Sequence, residues 1–216
     1  MKLGACAALF LASTIAAVAC DVPVCPPPGF DSIAPFNLTA WTEHDWFIQE
    51  QMPVAYQPSP FFCVRAAYRL TEGPDGSEQV DVYNSQRSES NSSMPLKAVI
   101  PNASEPSKLA VGPAFLPPSA YGPYWVVFAG PDEDNYEYGI VSGGPPTVQG
   151  IDGCISGTPT QINGAGLWLF TKDPTPESDT VLMLRDKAKA LGFDLSVLEP
   201  ATQEGCTYPD VPGDGE

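Results

Sequence analysis

Residues 123–142 read Pro-Tyr-Trp-Val-Val-Phe-Ala-Gly-Pro-Asp-Glu-Asp-Asn-Tyr-Glu-Tyr-Gly-Ile-Val-Ser, which is the pattern of a β-hairpin. Two runs rich in β-branched and aromatic residues flank an acidic turn that contains Gly130, Pro131 and Asn135. Alternation along the runs predicts two shared faces, one with Tyr124, Val126 and Phe128 and one with Tyr136, Tyr138 and Ile140. A strand that is apolar on both faces is covered on both, or it lines an apolar space. We therefore predict that the hairpin is part of the wall of a small antiparallel barrel, with its tyrosines facing the interior.

The rest of the chain supplies enough short apolar segments to close such a wall. Six further strands are predicted at 46–51, 61–70, 79–85, 96–100, 108–111 and 166–171. One amphipathic helix is predicted at 176–191, with Pro176 in its first turn and an apolar stripe of Val181, Leu184, Ala188 and Leu191. Residues 30–41 are predicted to be irregular. The sequence thus predicts an all-β fold, an eight-stranded antiparallel up-and-down β-barrel with one C-terminal α-helix packed outside. Such a barrel has no sheet edges and has room for one small ligand.

The two ends of the chain differ in composition from this predicted barrel domain, which spans 21–206. Residues 1–20 contain an apolar run with small residues near its end, which is typical of a secretory signal peptide and too short for a membrane span. Cleavage after Ala19 or after Cys20 fits, and the first would leave Cys20 open to lipid modification. Residues 207–216 are rich in Pro, Gly and acidic residues and are predicted to be disordered. We expect a secreted protein, or one that reaches a plastid or another endomembrane compartment through the secretory route.

The charge balance excludes several partners. The chain has 26 acidic and 10 basic residues and a formal net charge of −16. Because no basic patch is present, nucleic acid is not expected as a partner, and anionic membrane surfaces are disfavoured. After residue 20 no apolar run is long enough to cross a bilayer, so stable membrane insertion is not expected. Transient contact with a membrane or a lipoprotein stays open.

Cysteine and histidine usage indicates disulfides rather than a metal site. Cleavage after Cys20 leaves four cysteines: Cys25, Cys63, Cys154 and Cys206. Four cysteines behind a signal peptide predict two disulfides, with three possible pairings. The cysteines form no Cys-x-x-Cys pair and His44 is the only histidine, so neither a metal nor a cofactor is expected. Three sequons are candidate glycan acceptors: Asn37, Asn91 and Asn102.

Several motifs along the chain share the order and spacing of one known family. They are Pro-Pro-Pro-Gly-Phe followed by Trp46-Phe-Ile, Phe62-Cys-Val-Arg-Ala-Ala-Tyr68, Asn102-Ala-Ser-Glu-Pro-Ser-Lys-Leu-Ala-Val111, Tyr124-Trp with Asn135-Tyr136 and Ile140-Val-Ser-Gly143, Trp168-Leu-Phe-Thr-Lys-Asp-Pro174, and Gly192-Phe-Asp-Leu-Ser with Gln203 and Cys206. Over residues 25–206 this order resembles the lipocalin family, with apolipoprotein D and the plant plastid lipocalins as its closest members. The sequence departs from the family at His44, where the first motif usually has Gly, and at Lys172, where the third usually has Arg.

The resemblance implies both structural pairings and an activity. It implies the disulfides Cys25–Cys154 and Cys63–Cys206. It also implies that Lys172 covers Trp46 at the closed end of the barrel, a cation–π contact of about 0.5–2 kcal/mol. Residues 51–60 would form the loop over the barrel mouth. The implied function is binding, transport or protection of a small hydrophobic ligand, without catalysis.

Aromatic residues with a few hydroxyl groups are the candidate ligand contacts. They are Phe62, Tyr68, Tyr124, Tyr136, Tyr138 and Trp168. Such a lining suits a hydrophobic molecule with one polar end, for example a lipid, fatty acid, retinoid, sterol or carotenoid-like compound. The alternative is that these rings simply fill a small barrel.

Two other functions remain open. Violaxanthin de-epoxidase, also a lipocalin, uses paired acids in its barrel, and the acids that lie inside predicted strands here are Asp81 and Glu137. His44 has no obvious Ser or Cys partner. The third possibility is a protein-binding module that uses the Gly- and Pro-rich segment 143–164, which is long for a barrel connection.

Overall fold

The computed structural model of the chain describes residues 23–73, 75–87 and 95–211. The predicted signal peptide, Cys20 and the sequon at Asn91 lie outside these residues and stay predictions.

The described residues form β-strands and two α-helices. The strands, in chain order, are β1 (Trp46–Gln51), β2 (Phe61–Phe62), β3 (Arg65–Glu72), β4 (Glu78–Ser85), β5 (Leu96–Val99), β6 (Lys108–Pro113), β7 (Gly122–Asp132), β8 (Asn135–Ser142), β9 (Val148–Gln149), β10 (Cys154–Ile155), β11 (Leu167–Thr171) and β12 (Glu199–Thr202). The helices are α1 (Leu38–Thr42) and α2 (Ser178–Ala190), and two 3₁₀ turns lie at Pro118–Ala120 and Leu195–Val197.

Eight of these strands close into a barrel. Their order is β11-β8-β7-β6-β5-β4-β3-β1, and β1 pairs in turn with β11. All the pairs within the ring are antiparallel. Neighbours in the ring follow one another in sequence, apart from the short strands β2, β9 and β10. The predicted eight-stranded up-and-down barrel is therefore confirmed.

The predicted strand 61–70 is interrupted at Cys63. The backbone of Cys63 has a φ of 53°, in the left-handed region that strand residues do not adopt. As a result β2 leaves the ring and pairs in parallel with β12, while β3 begins at Arg65. The side chain of Cys63 is joined to Cys206, which follows β12.

Helix α2 packs on the outside of the barrel, as predicted. It begins at Ser178 with Glu177 as its N-cap, so Pro176 precedes the helix rather than lying in its first turn. Its buried side chains are Leu184 and Ala188. Together they cover an outer apolar layer that contains Met52, Val127, Ile140, Leu167, Leu169 and Phe193. Arg185 forms an ion pair with Glu50 of β1. Among the described residues, no helix has the length and apolar character needed to span a bilayer.

Bulges in the hairpin reverse the predicted faces of two aromatic residues. In β7, Val126 pairs with Val141 and Phe128 with Ile140, so Val127 is an extra residue. In β8, Glu137 is the extra residue, between the partners of Pro131 and Gly130. One extra residue inverts the alternation beyond it. The prediction that Phe128 shares a face with Tyr124 is therefore wrong. Tyr138 is likewise on the outer face, where its ring stacks on Phe128 with centroids 6.1 Å apart.

Two disulfides tie the ends of the chain to the barrel. They join Cys25 to Cys154 and Cys63 to Cys206, the pairs that the resemblance implied. The segment after Cys206 also packs: the Arg65 guanidinium lies 5.4 Å from the Tyr208 ring centre, and it donates to the Pro209 carbonyl. Residues 208 and 209 thus contact the barrel through Arg65, and the predicted disorder of the tail stays a prediction, with 212–216 outside the described part of the chain.

Candidate functional site

Helix α1 closes one end of the barrel with an aromatic cluster. Its Trp41 ring is 1% exposed and stacks on Trp46 with centroids 4.2 Å apart. Phe170 of β11 stacks on the other side of the cluster, 6.1 Å from Trp41. The Trp46 indole donates to the Trp41 carbonyl at 2.8 Å. The predicted irregular structure over 30–41 is wrong for residues 38–41, which lie in α1. The signal that was missed is Asn37, whose side chain caps α1 by accepting a hydrogen bond from the Ala40 N–H.

Lys172 does not cover Trp46. Its ammonium group lies 3.5 Å from the Asn135 side-chain oxygen, and Trp41 stacks on Trp46 instead. The implied cation–π contact is therefore wrong for this chain.

Tyr136 belongs to the same closed end. It is 2% exposed, its ring stacks on Phe36 with centroids 5.8 Å apart, and its hydroxyl accepts from the Asn37 N–H at 3.1 Å. The side chain faces the interior, as predicted, but it is held by α1 and the segment before it.

The barrel interior holds a small cavity above this cluster. Its volume is about 10 Å³, which leaves room for about one water molecule. The cavity is lined by Trp41, Thr42, Tyr68, Val80, Val82, Ala98, Leu109, Val111 and Tyr124. Two of the predicted ligand contacts, Tyr68 and Tyr124, thus meet at one place.

The polar groups of the cavity are hydrogen-bond donors in an apolar setting. The hydroxyls of Tyr68 and Tyr124 lie 2.8 Å apart and share one hydrogen bond. Burial raises the pKa of both tyrosines well above the usual range, so both stay protonated. The rise in the pKa of Tyr124 is opposed by the bond from Tyr68 and by the nearby indole N–H of Trp41. That N–H is buried and lacks a partner of good hydrogen-bond geometry.

A bulge in β1 turns a glutamine into the interior. Ile48 pairs with Phe170 and Glu50 with Leu169, so the extra residue between them sends Glu50 outward and Gln51 inward. Gln51 is fully buried and pairs across the sheet with Trp168, and both amide atoms of Gln51 lack a partner. Trp168 is half-buried and packs against the interior cluster, as predicted. Sequence reasoning missed Gln51 because strict alternation does not mark it.

Phe62 does not face the barrel interior. Its neighbour Phe61 is 2% exposed and packs into the interior cluster. Phe62 is 41% exposed and faces the other way along the same short strand. The interruption at Cys63 shifts which of the two phenylalanines enters the barrel.

Neither candidate acid of the enzyme hypothesis lies in the interior. Val80 and Val82 point into the barrel, so Asp81 between them points outward, where it pairs with Lys97 at 3.7 Å. Glu137 is the exposed bulge residue of β8. Within residues 23–73, 75–87 and 95–211, no three His, Cys, Asp or Glu side chains are grouped to hold a metal ion.

Asp194, which follows α2, anchors a turn of the long segment 143–164. This buried carboxylate accepts backbone N–H groups from Ile151, Asp152 and Ser196. Burial alone would raise the pKa of Asp194, but these hydrogen bonds outweigh it and leave the pKa below its ordinary value. A Cβ at Gly150 would lie 2.2 Å from the carboxylate, so the turn needs glycine there.

Solved structures provide the only similarities found in three comparisons with known proteins. No protein-family description matches the sequence, and no curated protein matches it. Lobster apocrustacyanin A1 is 15% identical with a TM-score of 0.52, over 78% of this chain and 81% of that one. Apocrustacyanin C2 is 15% identical with a TM-score of 0.51 over the same shares. At this identity the likeness concerns the fold alone, and the chain has the lipocalin fold.

Proposed function

We propose that this protein binds a small hydrophobic molecule in its barrel interior and does not catalyse a reaction on it. One observation carries the proposal: the apolar interior contains buried polar groups that lack partners, the Trp41 indole N–H and the Gln51 amide. In a core that served packing alone, each such group costs about 1–3 kcal/mol. A ligand with a polar end would supply the missing partner.

Binding requires side chains to move. The cavity of about 10 Å³ is far below the size of a lipid. Interior side chains are half-buried at both ends of the barrel: Leu96, Val111 and Trp168 at the end opposite α1, and Ile33 and Phe36 beside α1. The α1 end is filled by the stacked, buried rings of Trp41 and Trp46, so the ligand enters from the opposite end.

The outward position of Asp81 supports binding over catalysis, because paired acids would have to face the ligand to transfer protons. The order of motifs that resembles the lipocalin family supports the same activity. Two disulfides support an oxidising, extracytosolic compartment. The protein-binding alternative has exposed apolar side chains in its favour, Ile151 and Ile162 in the long loop.

Titration of intrinsic tryptophan fluorescence with all-trans-retinol and with cholesterol tests the proposal. We expect a saturable change with at least one probe. Val111→Trp places bulk in the cavity and should abolish it. The control Ala110→Trp adds the same bulk to β6 outside the interior cluster and should bind normally. The proposal would be refuted if the folded protein showed saturable binding of neither retinol nor cholesterol.

A further inference from the structure

We propose that the closed end of the barrel selects ligands whose polar end is a neutral hydrogen-bond acceptor, such as a ketone, aldehyde or ester oxygen, over ligands that end in a carboxylate. The inference rests on the proposed function and names the chemical class of its ligand.

The hydrogen-bond inventory of the cavity is the first argument. An indole N–H can only donate, and that of Trp41 has no partner of good geometry. The Tyr68 and Tyr124 hydroxyls carry one proton each, and their mutual bond uses one of the two. One hydroxyl hydrogen and the Trp41 N–H, which lies near the Tyr124 hydroxyl without good hydrogen-bond geometry, therefore remain for a ligand. One acceptor oxygen placed among the three side chains would satisfy both.

The absence of a positive charge is the second argument. The nine residues that line the cavity include no Lys, Arg or His. A carboxylate buried without a cation loses its hydration and gains no ion pair, so its charged form is strongly disfavoured. The two tyrosines show that the cavity disfavours negative charge. Burial raises the pKa of Tyr68 and of Tyr124, and the same burial opposes an anionic ligand group at this site.

The third argument is that the free donor is held in place before any ligand arrives. The Trp41 ring lies 4.2 Å from the Trp46 ring centre and contacts Tyr136 and Phe170, with centroids 5.8 and 6.1 Å away. A donor fixed by packing loses little conformational freedom on binding. The N–H of Trp41 is therefore a preorganised contact.

The test compares one apolar tail with two polar ends. cis-Parinaric acid and its methyl ester are titrated by their own fluorescence at pH 8.5, where the acid is ionised. We expect the ester to bind at least tenfold more tightly than the acid. Trp41→Phe keeps an aromatic ring but removes the N–H, and should weaken ester binding about threefold to tenfold. The matched control Trp125→Phe removes an indole from the outer layer, where Lys108 covers it, and should change neither affinity.

Equal affinity for the two probes, tighter binding of the acid, or full ester affinity in Trp41→Phe would each overturn this inference. Those outcomes would leave the proposed function intact. Failure of the folded wild-type protein to bind either probe, retinol or cholesterol would overturn both. If Trp41→Phe does not fold, the wild-type protein is measured at a second pH. Lowering the pH from 8.5 to 5 should tighten the binding of cis-parinaric acid and leave the affinity for its methyl ester unchanged.

Discussion

Asp194→Asn tests how much the Asp194 carboxylate contributes to stability by anchoring the long segment 143–164. In the native protein one carboxylate oxygen accepts the Ser196 N–H at 2.8 Å, and the other accepts the N–H groups of Ile151 and Asp152. Asparagine keeps one acceptor oxygen, but its NH₂ group must face backbone donors on the other side. Hydrogen bonds to a charged group contribute about 1.5–3 kcal/mol each, so we expect a loss of about 2–4 kcal/mol in the free energy of unfolding at pH 7.

The pH dependence of this loss has a definite sign. The hydrogen bonds hold the native pKa of Asp194 below its ordinary value. A depressed pKa contributes stability that is fully present above the unfolded-state pKa, near 4, and is lost as the pH falls through the native pKa. The free energy of unfolding that Asp194→Asn loses relative to the wild type should therefore be constant from pH 7 to about pH 5. The loss should become smaller below about pH 4.

Urea unfolding followed by tryptophan fluorescence at pH 7, 5, 4 and 3 measures the effect. The matched control is Asp152→Asn, an exposed carboxylate in the same turn, which should change stability by less than about 0.5 kcal/mol. Two results would refute the reasoning. In the first, Asp194→Asn loses as much free energy of unfolding at pH 3 as at pH 7. In the second, it loses no more than Asp152→Asn does.

Two further predictions concern the closed end. Trp41→Ala should lower the free energy of unfolding in urea by about 3–5 kcal/mol because it removes a buried ring that stacks on Trp46. Lys172→Ala should lower it by less than about 0.5 kcal/mol. Similar losses in the two variants would contradict the conclusion that Trp41, and not Lys172, covers Trp46. Asn37→Gln should cost about 1 kcal/mol in the free energy of unfolding because it removes the N-cap of α1. Asn84→Gln, at an exposed site of β4, should be nearly neutral, and equal thermal stability of the two variants would count against the cap.

The strands and the outer helix could be predicted from local pattern. The prediction for β1 matches its observed bounds, and the predicted helix 176–191 differs from α2 by two residues at its start and one at its end. Both depend on signals that lie within a few residues: alternation with β-branched and aromatic residues in one case, and an apolar stripe ending at Gly192 in the other.

The faces of the aromatic residues could not be predicted in the same way. The bulges at Val127 and Glu137 arise because one strand has an extra residue relative to its partner. That mismatch depends on pairing between strands and leaves no mark in either strand alone. Tyr124, before the first bulge, was assigned to the correct face, while Phe128 and Tyr138, beyond the bulges, were not.

Helix α1 was not predicted from the sequence, for a different reason. Five residues are too few to show helical periodicity, and Asn37 could equally have begun a turn. What places Trp41 in the barrel is its packing on Trp46, which becomes a neighbour only once the barrel has closed. The site therefore depends on a tertiary contact that sequence pattern does not encode.

Trp41 couples the stability of the barrel to its ligand preference. Burying its unpartnered N–H costs about 1–3 kcal/mol, yet burying the ring among Trp46, Tyr136 and Phe170 contributes more, since removal of a buried Trp costs about 3–5 kcal/mol. The fold therefore tolerates an unpaired donor because the same side chain closes the barrel. A ligand with a neutral acceptor recovers the missing hydrogen bond without disturbing the ring. Such a ligand binds only the folded chain, so it should raise the unfolding temperature in proportion to its affinity, and the gain should shrink in Trp41→Phe.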